Sequence, residues 1–143
     1  MKESSLFMSI QPALVVITGG LGGVGAATVA RLQSHGLRVV ILDRASASTT
    51  HLPAFYACDM TDLPSLQAVV AEMVTTHGVP DVWVNNAGVG QWGPFEVTIP
   101  DSERAEMAVN YHGSVNGIRA IAPYWQQQQR GHLIQVTSSS ALF

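Results

Sequence analysis

The sequence predicts an α/β fold: a doubly wound parallel sheet of five strands with helices on both faces. Three observations carry this. A continuous apolar run at residues 14–18 reads as a strand buried on both faces, and the mainly apolar stretches 37–42 and 133–136 read as further buried strands. Stretches of helical periodicity separate the strands, which makes neighbouring strands parallel. A cluster of five glycines, Gly19, Gly20, Gly22, Gly23 and Gly25, divides the first strand from the first helix.

Each element has its own signal. Residues 14–18 form the first strand, and residues 24–34 have helical composition, with Gly36 as the stop. Residues 37–42 form the second strand, closed by Asp43 and Arg44. Residues 45–50 are small and polar and read as a loop with at most a short helix. Residues 55–57 form a short third strand. Asp62 can cap the next helix, with Pro64 tolerated in its first turn. Leu66, Val69, Val70, Met73 and Val74 share one face of it. Gly78 and Pro80 end that helix, and residues 81–84 lead into the fourth strand. Residues 89–100 are a loop punctuated by Gly90, Gly93 and two prolines. Asp101 or Ser102 opens a long helix whose apolar face is Met107, Tyr111, Ser114, Val115, Ile118, Ala122 and Trp125. Gly113 and Gly117, four apart, either admit the close approach of another backbone or are weak packing filler. Pro123 is expected to kink or end the helix. Residues 126–129 are a solvated glutamine run, and residues 133–136 form the fifth strand.

The totals bound the function. A chain of 143 residues is one domain's worth, and 47% hydrophobic with 12% charged residues is too apolar for disorder. The net charge of −3, with no basic cluster, argues against a nucleic-acid surface. The single cysteine, Cys58, cannot form an internal disulfide and fits a reduced, cytoplasmic setting. The five histidines are scattered without metal-ligand spacing, so no metal is expected. The uncharged run 13–30 is long enough to suggest a membrane span, but its glycines break it into strand, turn and helix, so no membrane partner is expected. The first ten residues lack the apolar core of a signal peptide.

The turn at residues 18–25, TGGLGGVG, fits both G-x-G-x-x-G and T-G-x-x-x-G-x-G. Both serve one purpose. Glycines bend the backbone sharply and let it approach a pyrophosphate, while the helix start offers N–H groups and a partial positive charge. Following a buried strand and opening a helix, the turn points to a dinucleotide in a Rossmann-like fold. Asp43 lies 18 residues after Gly25, close to the about 20 at which an acidic residue bonds the adenosine ribose of NAD. A carboxylate there disfavours a 2′-phosphate, so NAD is favoured over NADP. Arg44 either reaches a 2′-phosphate or stacks near the adenine; a solvated strand-end pair is the plain alternative.

Asn85-Asn86-Ala87-Gly88, together with the T-G-x-x-x-G-x-G turn, closely resembles the classical short-chain dehydrogenase/reductase family. Further segments match in order: Cys58-Asp59-Met60-Thr61-Asp62, Val109-Asn110-Tyr111-His112-Gly113 and Val136-Thr137-Ser138-Ser139. The resemblance covers essentially the whole chain, read as one NAD(P)-binding Rossmann domain over residues 1–143, incomplete and truncated after the fifth strand. It implies that Gly19, Gly23, Val24 and Gly25 line the cofactor phosphates. Asp43 and Arg44 would border the adenosine ribose, and Asp59 and Met60 the adenine. Asn86, Ala87 and Gly88 would hold the central strand and the nicotinamide-side ribose. Asn110 would be the active-site asparagine of a water-linked proton relay, or a helix residue satisfying backbone groups, or both. Ser139 would be the catalytic serine, with Ser138 as runner-up.

The family's reaction is hydride transfer between nicotinamide and an alcohol or carbonyl substrate, with a tyrosine four residues before a lysine handling the proton. A phenol titrating near pH ~10 needs that lysine. This chain's one lysine is Lys2, and its tyrosines are Tyr56, Tyr111 and Tyr124. Negligible turnover by the chain alone is therefore expected, as is an exposed apolar sheet edge that makes it marginal or partner-dependent. The alternative is a non-catalytic dinucleotide-binding or subunit-pairing module. A complete form would be a homo-oligomer acting on a small alcohol or carbonyl. Val89, Gln91 and Trp92 border the expected substrate side.

Overall fold

The computed structural model describes residues 12–45 and 53–138. Five strands, β1 (Leu14–Thr18), β2 (Arg38–Asp43), β3 (Ala54–Ala57), β4 (Val82–Asn85) and β5 (His132–Gln135), form one sheet of order β3-β2-β1-β4-β5. All four pairings are parallel. The predicted fold class is the one observed. The boundaries of β2, β4 and β5 each differ by one residue from the apolar runs. The ladder sets these ends: Asp43 still pairs with Ala57, and Asn85 with Gln135, although neither is apolar. Residues 46–52, most of the expected 45–50 loop, lie outside the described residues.

The alternation of side chains along the strands divides the core in two. Val15, Ile17, Val39, Ile41 and Val84 pack with Val29 of α1 (Gly23–Ser34). Leu14, Val16, Val40, Leu42 and Trp83 point the other way, against Leu66, Val70 and Met73 of α2 (Leu63–His77) and Ala120 and Ile121 beyond them. Helices thus cover both faces, as a parallel sheet requires. The uncharged run 13–30 is β1, the turn and the start of α1. Among the described residues no helix is long and apolar enough to cross a membrane.

Helix ends follow their residues. At α1 the Gly36 N–H donates to Gln33 O at 2.9 Å and the Leu37 N–H to Leu32 O at 3.2 Å, a Schellman stop with Gly36 at φ 74°. At α2 the Asp62 carboxylate accepts the Ser65 N–H at 3.2 Å, the expected N-cap, with Pro64 in the first turn.

The long helix departs from expectation. It begins at Pro100, with Ile99 as N-cap, as α3 (Pro100–Met107). It continues through a wide π-helical segment (Ala108–Gly113) into α4 (Ser114–Gln128). Pro123 does not end it. Pro123 and Arg119, the residue four before it, are both exposed, so the orphaned carbonyl can face water. Buried Ala120 and Ile121 hold the helix before the proline. The Trp125 indole holds it after, donating to Pro80 O at 2.7 Å. The packed face is also different. Gly113, Asn116, Gly117, Ala120 and Ile121 are buried, whereas Met107, Tyr111 and Ile118 of the expected face are exposed.

Candidate functional site

Beyond the carboxyl ends of β1 and β4, where the chain turns from one side of the sheet to the other, lies a cleft of about 790 Å³. The glycine turn forms its floor, with Gly19, Gly23, Val24 and Gly25 all lining it. At Gly25 a Cβ would collide with Gly19 O and lie 2.7 Å from Asn86 Nδ2, so no other residue fits. Gly22 caps α1 with no side chain bonded to its first turn, and no acidic residue lies there. The helix start therefore presents N–H groups and a partial positive charge to the floor of the cleft.

One end of the cleft is acidic. Asp43, at the end of β2, accepts the Leu21 N–H through Oδ2 and the Ala45 N–H through Oδ1, each at 3.0 Å. Exposed Arg44 stands beside it. Asp59, after β3, accepts both the N–H and the hydroxyl of Thr61 through Oδ1 at 2.8 Å. Those bonds, backbone first, hold its carboxyl below the ordinary range, and the positive charge of Arg44 adds to the shift. Met60 and Cys58 complete this wall. Burial, and then the charges of Asp59 and Asp62, push the Cys58 thiol up to about 11.

The middle and far end come from β4. Thr18 Oγ1 accepts the N–H groups of Asn86 and Ala87, both at 3.0 Å, and donates to Val84 O at 3.4 Å. Asn86 Nδ2 donates to the carbonyls of Thr18 and Gly19, both at 3.0 Å. Asn86 thus ties the fourth strand to the glycine turn, and Ala87 and Gly88 continue the lining. Val89, Val109 and Val136 give the far end an apolar wall.

Asn110 sits in the π segment and does not line the cleft directly. Its side chain clasps the Val89 backbone, Oδ1 accepting the N–H and Nδ2 donating to the carbonyl, both at 2.8 Å. One turn earlier Glu106 accepts the Gln91 N–H at 2.7 Å. The long helix therefore fixes the course of the chain after β4, leaving Trp92 exposed. Ser139 lies outside the described residues; Ser138, the runner-up, is the last one described.

The structure thus brings to one cleft eleven of the residues singled out by sequence. Sequence reasoning placed Thr18 in the turn motif but missed its part as the hub between β1 and β4. It missed Leu21, whose N–H meets Asp43, and, beside the expected Val89, the lining by Val109 and Val136. A hydroxyl at the end of an otherwise apolar strand was the available signal for Thr18.

The short chain dehydrogenase family matches residues 13–143. The 3-ketodihydrosphingosine reductase of Bacteroides thetaiotaomicron is 30% identical, over 90% of this chain and 48% of its own length. The chain spans about half the length of the curated relatives it matches. Among solved structures, a short chain dehydrogenase from Leptospira borgpetersenii with bound NAD+ superposes with a TM-score of 0.84 at 24% identity, over 92% of this chain and 54% of that one. ElxO with NADP bound superposes with a TM-score of 0.85 at 23% identity, covering 92% and 58%.

Proposed function

Because the chain belongs to the short-chain dehydrogenase family, we propose that its cleft holds a nicotinamide dinucleotide and forms the cofactor-binding part of an NAD(P)-dependent oxidoreductase acting on an alcohol or carbonyl. One observation carries the reading: a single cleft runs from the carboxylates of Asp43 and Asp59, over the glycine floor at α1, to the apolar wall at Val89 and Val136. Its sequence of chemistries suits adenosine, pyrophosphate and nicotinamide in turn. The cradle at Gly25, which any Cβ would fill, fits a pyrophosphate drawn close to the helix start. The bound nicotinamide would supply or accept the hydride.

The chain's own residues would bind and orient. The N–H groups at the start of α1 neutralise the pyrophosphate charge. Asp43 stands where ribose hydroxyls arrive and, as a carboxylate, repels a 2′-phosphate, so NAD is preferred to NADP. Proteins of this fold have been seen with either. Ser139, following β5, would hydrogen-bond the substrate oxygen, and Asn110 would support the proton relay. With Lys2 as its one lysine, this 143-residue chain has no tyrosine–lysine pair to move the proton and is inactive by itself.

Calorimetric titration tests this. Saturable binding of NAD, tighter than NADP and abolished by Gly25→Val, is expected. Tighter NADP binding would overturn the cofactor preference; no binding of either would overturn the function. Measurable NAD-linked oxidation by the verified chain would overturn its inactivity. A second reading, a non-catalytic dinucleotide-binding or pairing module, predicts binding without turnover in any longer form.

A further inference from the structure

Behind the cleft, β4, β5 and the long helix meet in a set of polar groups that dinucleotide binding leaves unused. Trp83 Nε1 donates to Asn85 Oδ1 at 2.7 Å. Asn85 Nδ2 donates to Gln135 Oε1 and to Ser114 O, both at 3.1 Å. Gln135 Nε2 donates to Ser114 Oγ at 3.2 Å and to Val136 O at 3.3 Å. The Ser114 hydroxyl donates to Asn110 O at 2.9 Å.

The direction of this chain is forced. An indole N–H can only donate, so Asn85 must present its oxygen to Trp83. Its two N–H groups are then both spent, one of them on Gln135 Oε1. Gln135 must therefore present its nitrogen to Ser114, and the hydroxyl must give its one proton to Asn110 O. Every amide proton in the set has an acceptor, and turning either amide over would oppose donor to donor. Asn85 and Trp83 are fully buried, where an unmatched donor costs most.

We propose that Gln135 is a positioning residue. It transmits the polarity set by Trp83 to the carbonyl of Asn110, and so locks the strand that leads toward Ser139 to the helix turn that clasps Val89. The functional meaning rests on reading Asn110 as a site residue; the hydrogen-bond polarity does not.

The test is Q135E in the full chain, read by the Asn110 carbonyl carbon resonance. The ionised carboxylate has no proton to give, so the Ser114 hydroxyl turns to it in a charge-assisted bond and abandons Asn110. An upfield shift of that resonance, matching S114A, is expected at neutral pH. In acid the introduced carboxyl regains a proton, donates to Ser114 Oγ, and the resonance returns toward its original position. S114A shows no such recovery. An unmoved Asn110 carbonyl in a folded Q135E, or a shift that acid does not reverse, overturns the proposal. Should Q135E fail to fold, the unsubstituted chain carries the test. A coupling across the hydrogen bond from Asn85 Nδ2 to the Gln135 side-chain carbonyl is expected, and its absence overturns the direction. None of these readings depends on dinucleotide binding, so failure here is distinct from failure of the cofactor titrations.

Discussion

Cys58 shows how environment rather than residue type sets reactivity. It lines the cleft, yet it is buried and sits beside Asp59 and Asp62, and its thiol is pushed from 9.0 to about 11. At about pH 8 only ~0.001 of it is thiolate, so it should resist alkylation in the folded chain and react once the chain is unfolded, as mass spectrometry would show. The shift also has a consequence for stability. The folded chain holds this proton more tightly than the unfolded one, so its contribution is complete below pH 9.0 and is lost as pH rises toward about 11. Asp59 acts in the opposite direction. Its carboxyl is lowered from 3.8 by the Thr61 bonds, so its contribution is present above that value and fades as pH falls below it. Urea midpoints at the two extremes of pH would register both losses.

At the scale of elements, the long helix holds the sharpest test. A Cβ at Gly117 would lie 2.7 Å from Asn85 Oδ1 and 3.0 Å from Trp83 Nε1, both immobilised by their mutual bond. Gly117→Ala should therefore cost about 1–3 kcal/mol in denaturant unfolding, although alanine favours helix. An unchanged or raised midpoint would contradict the close approach. This helix is also where sequence reasoning failed, for a physical reason. The π segment inserts extra residues into the turn and rotates α4 about the helix axis. Met107 and Tyr111 thus stop predicting which side of α4 faces the sheet. The side that does face it carries Gly113, Asn116 and Gly117, because Met60 and Trp83 fill the space from below. A search for apolar residues cannot see a contact made by glycines; the Gly113–Gly117 spacing did point to a close approach, and what arrives there is mainly the side chains of Met60, Asn85 and Trp83 rather than another backbone. β1 and β2 were legible because burial on both faces writes a mainly apolar run, whereas β5 was expected to be buried and the structure leaves all four of its residues exposed at the sheet edge. The cleft was legible because a glycine turn and a strand-end acid have few other uses. Thr18 and Gln135 were not, since their roles depend on which strands become neighbours.

For the whole molecule, a ligand bound only by the folded state must raise its stability. NAD at about 100 times its dissociation constant should add about 2.7 kcal/mol, raising the unfolding temperature by about 5–11 °C. A scan with NAD that shows no rise would count against the cleft as its site. At β5, residues 132–135 are all exposed, and Leu133 and Ile134 show apolar surface on opposite faces. Such an edge invites pairing with another chain. The expected apolar edge is therefore present in the structure.

The central place of β1 has a further consequence, for synthesis. β1 pairs with β2 on one side and β4 on the other. Leu42 meets Thr18 within the first third of the chain, whereas Val84 meets Ile17 only after a further 42 residues have been made. At about 5–20 residues per second, the second side of the central strand waits roughly 2–8 s on the ribosome. During that interval Leu14–Thr18, later the most deeply enclosed strand, is half-paired, and a nascent-chain holdase has its best opportunity to bind there.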